Sequence, residues 1–93
     1  MLFRSLHNLG TLYFNLEDYQ RAESVFLEAY AADLRKFGSD HELATTVNNL
    51  GNVYLAQGRL DKADQFLRQS VQLWQRIQDH VELANSLTLI ASI

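Results

Sequence analysis

The feature that most constrains this chain is a short phrase written twice. Leu6-His-Asn-Leu-Gly-Thr-Leu-Tyr13 returns as Val47-Asn-Asn-Leu-Gly-Asn-Val-Tyr54, and an alanine stands nine residues after each tyrosine, at Ala22 and Ala63. Leu9 to Leu50 and Ala22 to Ala63 are both 41 residues apart. A fixed period of this size marks stacked copies of one supersecondary unit, each too small to bury its apolar face alone. The flanks extend the register to a third copy. Glu42-Leu-Ala44 reappears as Glu82-Leu-Ala84, a step of 40, so that Ile90-Ala91 stands where the earlier copies have Leu-Gly.

Within each copy the apolar residues recur at helical spacing. Leu2, Leu6, Leu9, Tyr13 and Leu16 form one stripe, which predicts a first helix over residues 2–15. The second is expected from Tyr19 to about Phe37, with Ala22, Val25, Phe26, Ala29, Tyr30 and Leu34 facing inward. Asp18 and Glu23 suit the positive end of its dipole. Gly38 reads as a helix stop and Ser39-x-x-Glu42 as a capping box opening a third helix, from about Asp40 to Gln57. Gly58 ends that helix, a fourth runs from Leu60 to about Gln78, and Asp79-x-x-Glu82 opens a fifth. With no proline and four glycines, little interrupts these helices. The expected fold class is all-α.

Composition narrows the function. Ninety-three residues allow one small domain. A net charge of -3 leaves no basic stripe for a phosphate backbone, so no nucleic-acid partner is expected. The absence of cysteine removes disulfides, thiolate zinc sites and cysteine nucleophiles, and fits a cytoplasmic location. No apolar run approaches the ~18 residues of a membrane span, and the first residues lack the apolar core of a signal peptide.

Leu-Gly, Tyr, Ala and Phe at these offsets resemble the tetratricopeptide repeat (TPR). The resemblance implies antiparallel helix pairs stacked into a right-handed superhelical solenoid. Repeat one would span about 1–38, repeat two about 39–78, and the first helix of repeat three 79–93. The period exceeds the roughly 34 residues usual for the family. The extra residues fall in Leu34-Arg-Lys-Phe37 and Trp74-Gln-Arg-Ile77, and no proline ends the second helix. The chain is thus similar to a long-helix branch found in kinesin light chains, spindle-orientation adaptors and bacterial signalling ATPases. In this register Gly10 and Gly51 sit where paired helices cross closely, with Ala22 and Ala63 opposite. Tyr13, Tyr54, Phe26 and Leu67 fill the wider gaps, and Trp74 and Ile77 pack against the fifth helix. Neither end shows a polar capping helix. The expectation is therefore a segment of a longer array, exposing Leu83, Leu87 and Ile90 on the fifth helix and able to self-associate through it.

In TPR proteins the first helix of each repeat lines a concave groove. That face carries Arg4, His7, Asn8 and Thr11 in the first copy. The second copy offers Thr45, Asn48, Asn49 and Asn52. The third offers Asn85 and Thr88, with Leu89 in the place of Asn8 and Asn49. Asparagine is a poor helix former, so this ladder needs a reason. One is that an amide offers a donor and an acceptor to an extended peptide backbone, as the asparagine before Leu-Gly does in many members of the family. The other is that these side chains are solvated or bond between neighbouring helices. The resemblance implies a protein–protein interaction module binding a peptide or partner helix. The alternatives are a structural spacer or self-associating scaffold, or a sensor segment of a larger signalling ATPase or transcription regulator.

No catalytic constellation emerges. His41-Glu42 opens like a zinc-protease helix, but Thr45 stands where the second histidine belongs. His41 and His80 read as exposed residues at helix starts. Ser5, Ser24 and Ser70 have no histidine at a spacing suited to a base. Gly10 and Gly51 lie inside helices, so there is no phosphate loop. No enzyme activity, cofactor or metal is expected.

Overall fold

The computed structural model describes residues 2–35 and 40–93, with side chains from residue 6 onward. Five α-helices are found among the described residues: α1 (Leu2–Asn15), α2 (Tyr19–Arg35), α3 (Asp40–Ala56), α4 (Leu60–Ile77) and α5 (His80–Ala91). No strand occurs among them. The Gly38 stop, the Ser39-x-x-Glu42 box and a helix end at Phe37 lie outside the described residues.

Three helix ends share one device. A residue one or two places past the end adopts the left-handed conformation, at Glu17 (φ 61°), Gly58 (φ 73°) and Gln78 (φ 67°). Two backbone bonds then close each end. Glu17 and Asp18 donate to the carbonyls of Phe14 and Tyr13, Gly58 and Arg59 to Leu55 and Tyr54, and Gln78 and Asp79 to Gln75 and Trp74. This motif satisfies the orphan carbonyls and turns the chain back sharply. At α5 only half of the expected capping box forms. Asp79 Oδ1 accepts from the Glu82 N–H at 3.1 Å, whereas the Glu82 carboxylate accepts from Asn85 at 3.0 Å.

Each helix packs on its neighbours in the chain. Arg76 near the end of α4 reaches Asp40 at the start of α3, 3.4 Å away, so this pair runs antiparallel. Helices α1 and α3 meet through His7 and Asn49, and α3 and α5 through Asn48 and Ser86. Helices α2 and α4 meet through the Tyr30 and Phe66 rings, whose centroids are 5.9 Å apart. The result is one layer of first helices and one of second helices, with extents of 32 × 26 × 19 Å.

The core lies between these layers. One cluster joins Ala22, Phe26, Leu50, Val53, Tyr54 and Ala63; another joins Ala44, Val47, Leu73 and Trp74. Trp74 is buried mainly among α3 residues and meets the His41 ring edge-on, with Leu83 as the α5 contribution to the cluster. The glycines sit at close crossings, but what they meet are large side chains rather than the alanines. A Cβ on Gly10 would stand 2.7 Å from the Phe26 ring, and one on Gly51 would stand 2.5 Å from Leu67 Cδ2.

Several expected core positions move outward. Leu9 and Leu16 are exposed, because the stripe on α1 is wider than the surface α2 covers. Leu34 is exposed and its neighbour Asp33 is buried, held by the Thr46 hydroxyl at 2.9 Å. On α5, Leu87 is exposed as expected, but Leu83 and Ile90 are half-buried, since α4 covers their side of the helix. Glu23 is not merely a dipole partner. It accepts from the Tyr54 hydroxyl at 2.8 Å and pairs with Arg59 at 3.2 Å.

Candidate functional site

The polar ladder divides into residues engaged between helices and residues that are not. Asn48 belongs to the first group. Ser86 donates to Asn48 Oδ1 at 2.7 Å. Ser70 stands 3.0 Å from Ser86 Oγ and donates to the Leu67 carbonyl at 2.7 Å. Ser70 and Ser86 are fully buried, so this knot ties α3, α4 and α5 together at a dry point. Neither serine was singled out for this role by sequence. Small hydroxyls on inward helix faces are too common to be a signal by themselves.

Asn49 is engaged on one side only. Its Nδ2 lies 3.3 Å from His7 Nε2 and 3.4 Å from His7 Nδ1, and donates to whichever nitrogen carries the lone pair. Burial pushes the His7 imidazole below its ordinary value of 6.5, with Asp33 opposing, which keeps the ring neutral and able to accept. The same ring meets Phe26 edge-on at 5.9 Å. Among the described residues, Asn49 Oδ1 and both polar atoms of the Asn52 amide have no hydrogen-bond partner within the chain.

Between α1 and α3 these residues border a recess of about 70 Å³, lined by Thr11, Phe14, Phe26, Asn49 and Asn52. Aromatic rings supply apolar surface, and two amides and a hydroxyl supply polar groups. The geometry suits a small apolar side chain with a backbone amide beside it. Asn8 and Thr11 are exposed on the same helix.

The remaining predicted positions are more dispersed. Thr45 donates back to the His41 carbonyl at 2.9 Å and Thr88 to the Ala84 carbonyl at 2.8 Å, the habit of threonine within a helix. Asn85 is exposed and bonded to Glu82. The Arg4 side chain lies outside the described residues.

A second polar cluster was not anticipated. The Tyr54 ring stacks on Phe66 and lies beneath the Arg59 guanidinium, 4.8 Å from its centroid. Burial, then the bond to Glu23 and its charge, push the phenol up to about 12, so it remains a donor. No group of three or more His, Asp or Glu suited to a metal ion occurs among the described residues. None of the described helices is long and apolar enough to cross a membrane.

Paired antiparallel helices repeating every 41 residues, with glycines at the α1–α2 and α3–α4 crossings, define a helical-repeat protein. The family model for the tetratricopeptide repeat matches residues 1–76 and again 42–93. The chain belongs to the tetratricopeptide repeat family, whose repeats mediate protein–protein interaction and are typically non-enzymatic. None of the curated proteins matches it.

Proposed function

We propose that the chain binds an extended peptide of a partner protein along the face shared by α1, α3 and α5. The observation that carries this reading is the α1–α3 recess, where an aromatic floor meets the Asn49 and Asn52 amides, the first engaged on one side only. Asn49 Oδ1 and the Asn52 amide can pair with a peptide backbone, while the recess takes a side chain. Asn8, Thr11, Asn85 and Thr88 extend the row on either side. The helices α3 and α5 contain no lysine or arginine, which favours a ligand read through its backbone over one read through carboxylates.

A peptide selected from a random library tests the reading by calorimetry. Asn52→Ala and Asn49→Ala should each weaken binding by roughly 5- to 150-fold, the equivalent of a lost and unreplaced hydrogen bond. Folding should be unharmed by Asn52→Ala, since alanine is the better helix former. Unchanged affinity in both variants, with folding intact, would favour the spacer reading. That second reading has its own support in the Asn48–Ser86 and Asn49–His7 bonds, which use two of the amides as ties between helices.

A further inference from the structure

The outer faces of α2 and α4 hold the same place in successive repeats and carry opposite chemistry. Along α2 the exposed stripe is Leu27, Ala31 and Leu34; 41 positions on, α4 shows Arg68, Gln72 and Gln75, also exposed. Leu27 is 38% exposed and Leu34 is 59% exposed. The two leucines do not owe this to a lack of neighbouring helices. Helix α4 has α2 beside it, with the Phe66 and Tyr30 rings in contact, yet the Arg68 side chain at the position of Leu27 is still 67% exposed. The fold therefore accepts polar residues at this place, and an apolar stripe there marks an interaction surface.

The charges beside the stripe indicate what covers it. Glu28 and Arg35 flank it on one side, both exposed. Neither forms an ion pair with a described residue. Seven residues apart, they stand about 10 Å from each other along the helix axis, too far to pair within one chain. A second α2, laid antiparallel about a two-fold axis at Ala31, brings them together. Glu28 lies about 4.5 Å from Ala31 along the helix and Arg35 about 6 Å in the other direction, so the partner's Arg35 arrives almost level with Glu28. Symmetry forms the reverse pair as well. Leu27 meets the partner's Leu34 at the same offset, and the two alanines face each other on the axis, where short side chains allow close approach. A two-fold interface requires one patch to complement itself, and this patch does so in both packing and charge.

We propose that the outer face of α2 joins two copies of this chain as an antiparallel α2 pair. One helix pair makes a small interface, so the dimer is weak and reversible. The peptide face belongs to the other helix layer, on α1, α3 and α5. A dimer therefore turns two such faces outward, and a partner that repeats its peptide is held by both.

Sedimentation velocity of the intact 93-residue chain, from micromolar to millimolar concentration, tests the interface. A reversible monomer–dimer equilibrium is expected. Arg35→Glu and Glu28→Arg should each raise the dissociation constant by roughly tenfold or more, because both attractive pairs become repulsive. An equimolar mixture of these two variants should recover the dimer, since each chain then supplies one sign of charge at both positions. Leu34→Glu should abolish association in any background. All three side chains are exposed, so the variants should melt like the parent. Asn52→Ala should leave the dimer intact and Leu34→Glu should leave library-peptide binding unchanged, so the two faces fail independently. A monomer throughout the range would overturn the proposal. So would association that survives Leu34→Glu, the mark of contact through another face such as α5, or a mixture no more associated than either charge variant alone.

Discussion

Asn48 on α3 and Ser86 on α5, 38 residues apart in the chain, are joined by a 2.7 Å hydrogen bond beside the buried Ser70 hydroxyl. The contact locks the start of the third repeat onto the second. Asn48→Ala removes the acceptor and strands a buried hydroxyl, so it should destabilise by about 1–3 kcal/mol. Asn52→Ala, four residues along, should stay within about 0.5 kcal/mol. Thermal or urea melts of the two variants make the comparison, and equal stabilities would show the knot to be unimportant.

Gly51→Leu should be severe for a steric reason. Any Cβ there would stand 2.5 Å from Leu67 Cδ2, and Leu67 is fully buried with little room to retreat. Overpacking of this kind costs about 1–3 kcal/mol or more. A denaturant melt superimposable on the parent's would contradict the observed crossing of α3 and α4.

Tyr54 should make the fold sensitive to alkali. Its pKa rises from 10.0 to about 12 in the folded chain, so its stabilising contribution is complete below pH 10 and is lost as pH climbs through about 12. Tyr54→Phe should be less stable than the parent at neutral pH by about 1.5–3 kcal/mol, the range for bonds to charged groups. The gap between parent and variant should close above pH 10, measured as paired urea melts across the range. A gap independent of pH would place the hydroxyl's effect elsewhere.

Gln78→Gly should stabilise the chain. Gln78 holds φ 67° at the end of α4, a conformation that costs a non-glycine residue roughly 1–2 kcal/mol. Glycine takes it freely but loses more freedom on folding, so a net gain of about 0.5–1 kcal/mol is expected. Glu17→Gly should act in the same direction, from φ 61°. The reverse change, Gly58→Ala, should destabilise. Melting temperatures of the three variants check the set.

The sequence by itself determined the local structure and the register. Apolar spacing, four glycines and no proline were enough to set helix boundaries to within one or two residues where the structure describes them, because these signals act over a single helical turn. The 41-residue period made Gly10 and Gly51 equivalent, and the resemblance to the tetratricopeptide repeat put both at crossings, where only glycine admits so near a neighbour. Which side of a helix is covered was a tertiary decision. Leu9 and Leu50 are the same letter in the same motif, yet one is 38% exposed and the other 0%, because α2 packs on α3 around Leu50. The asparagine ladder divides for the same reason. Adjacent amides such as Asn48 and Asn49 differ by about 100° around the helix, and only the packed neighbours decide what each one meets. Asn48 turns toward two buried serines, Asn49 toward a histidine from the preceding repeat, and Asn52 toward an open recess.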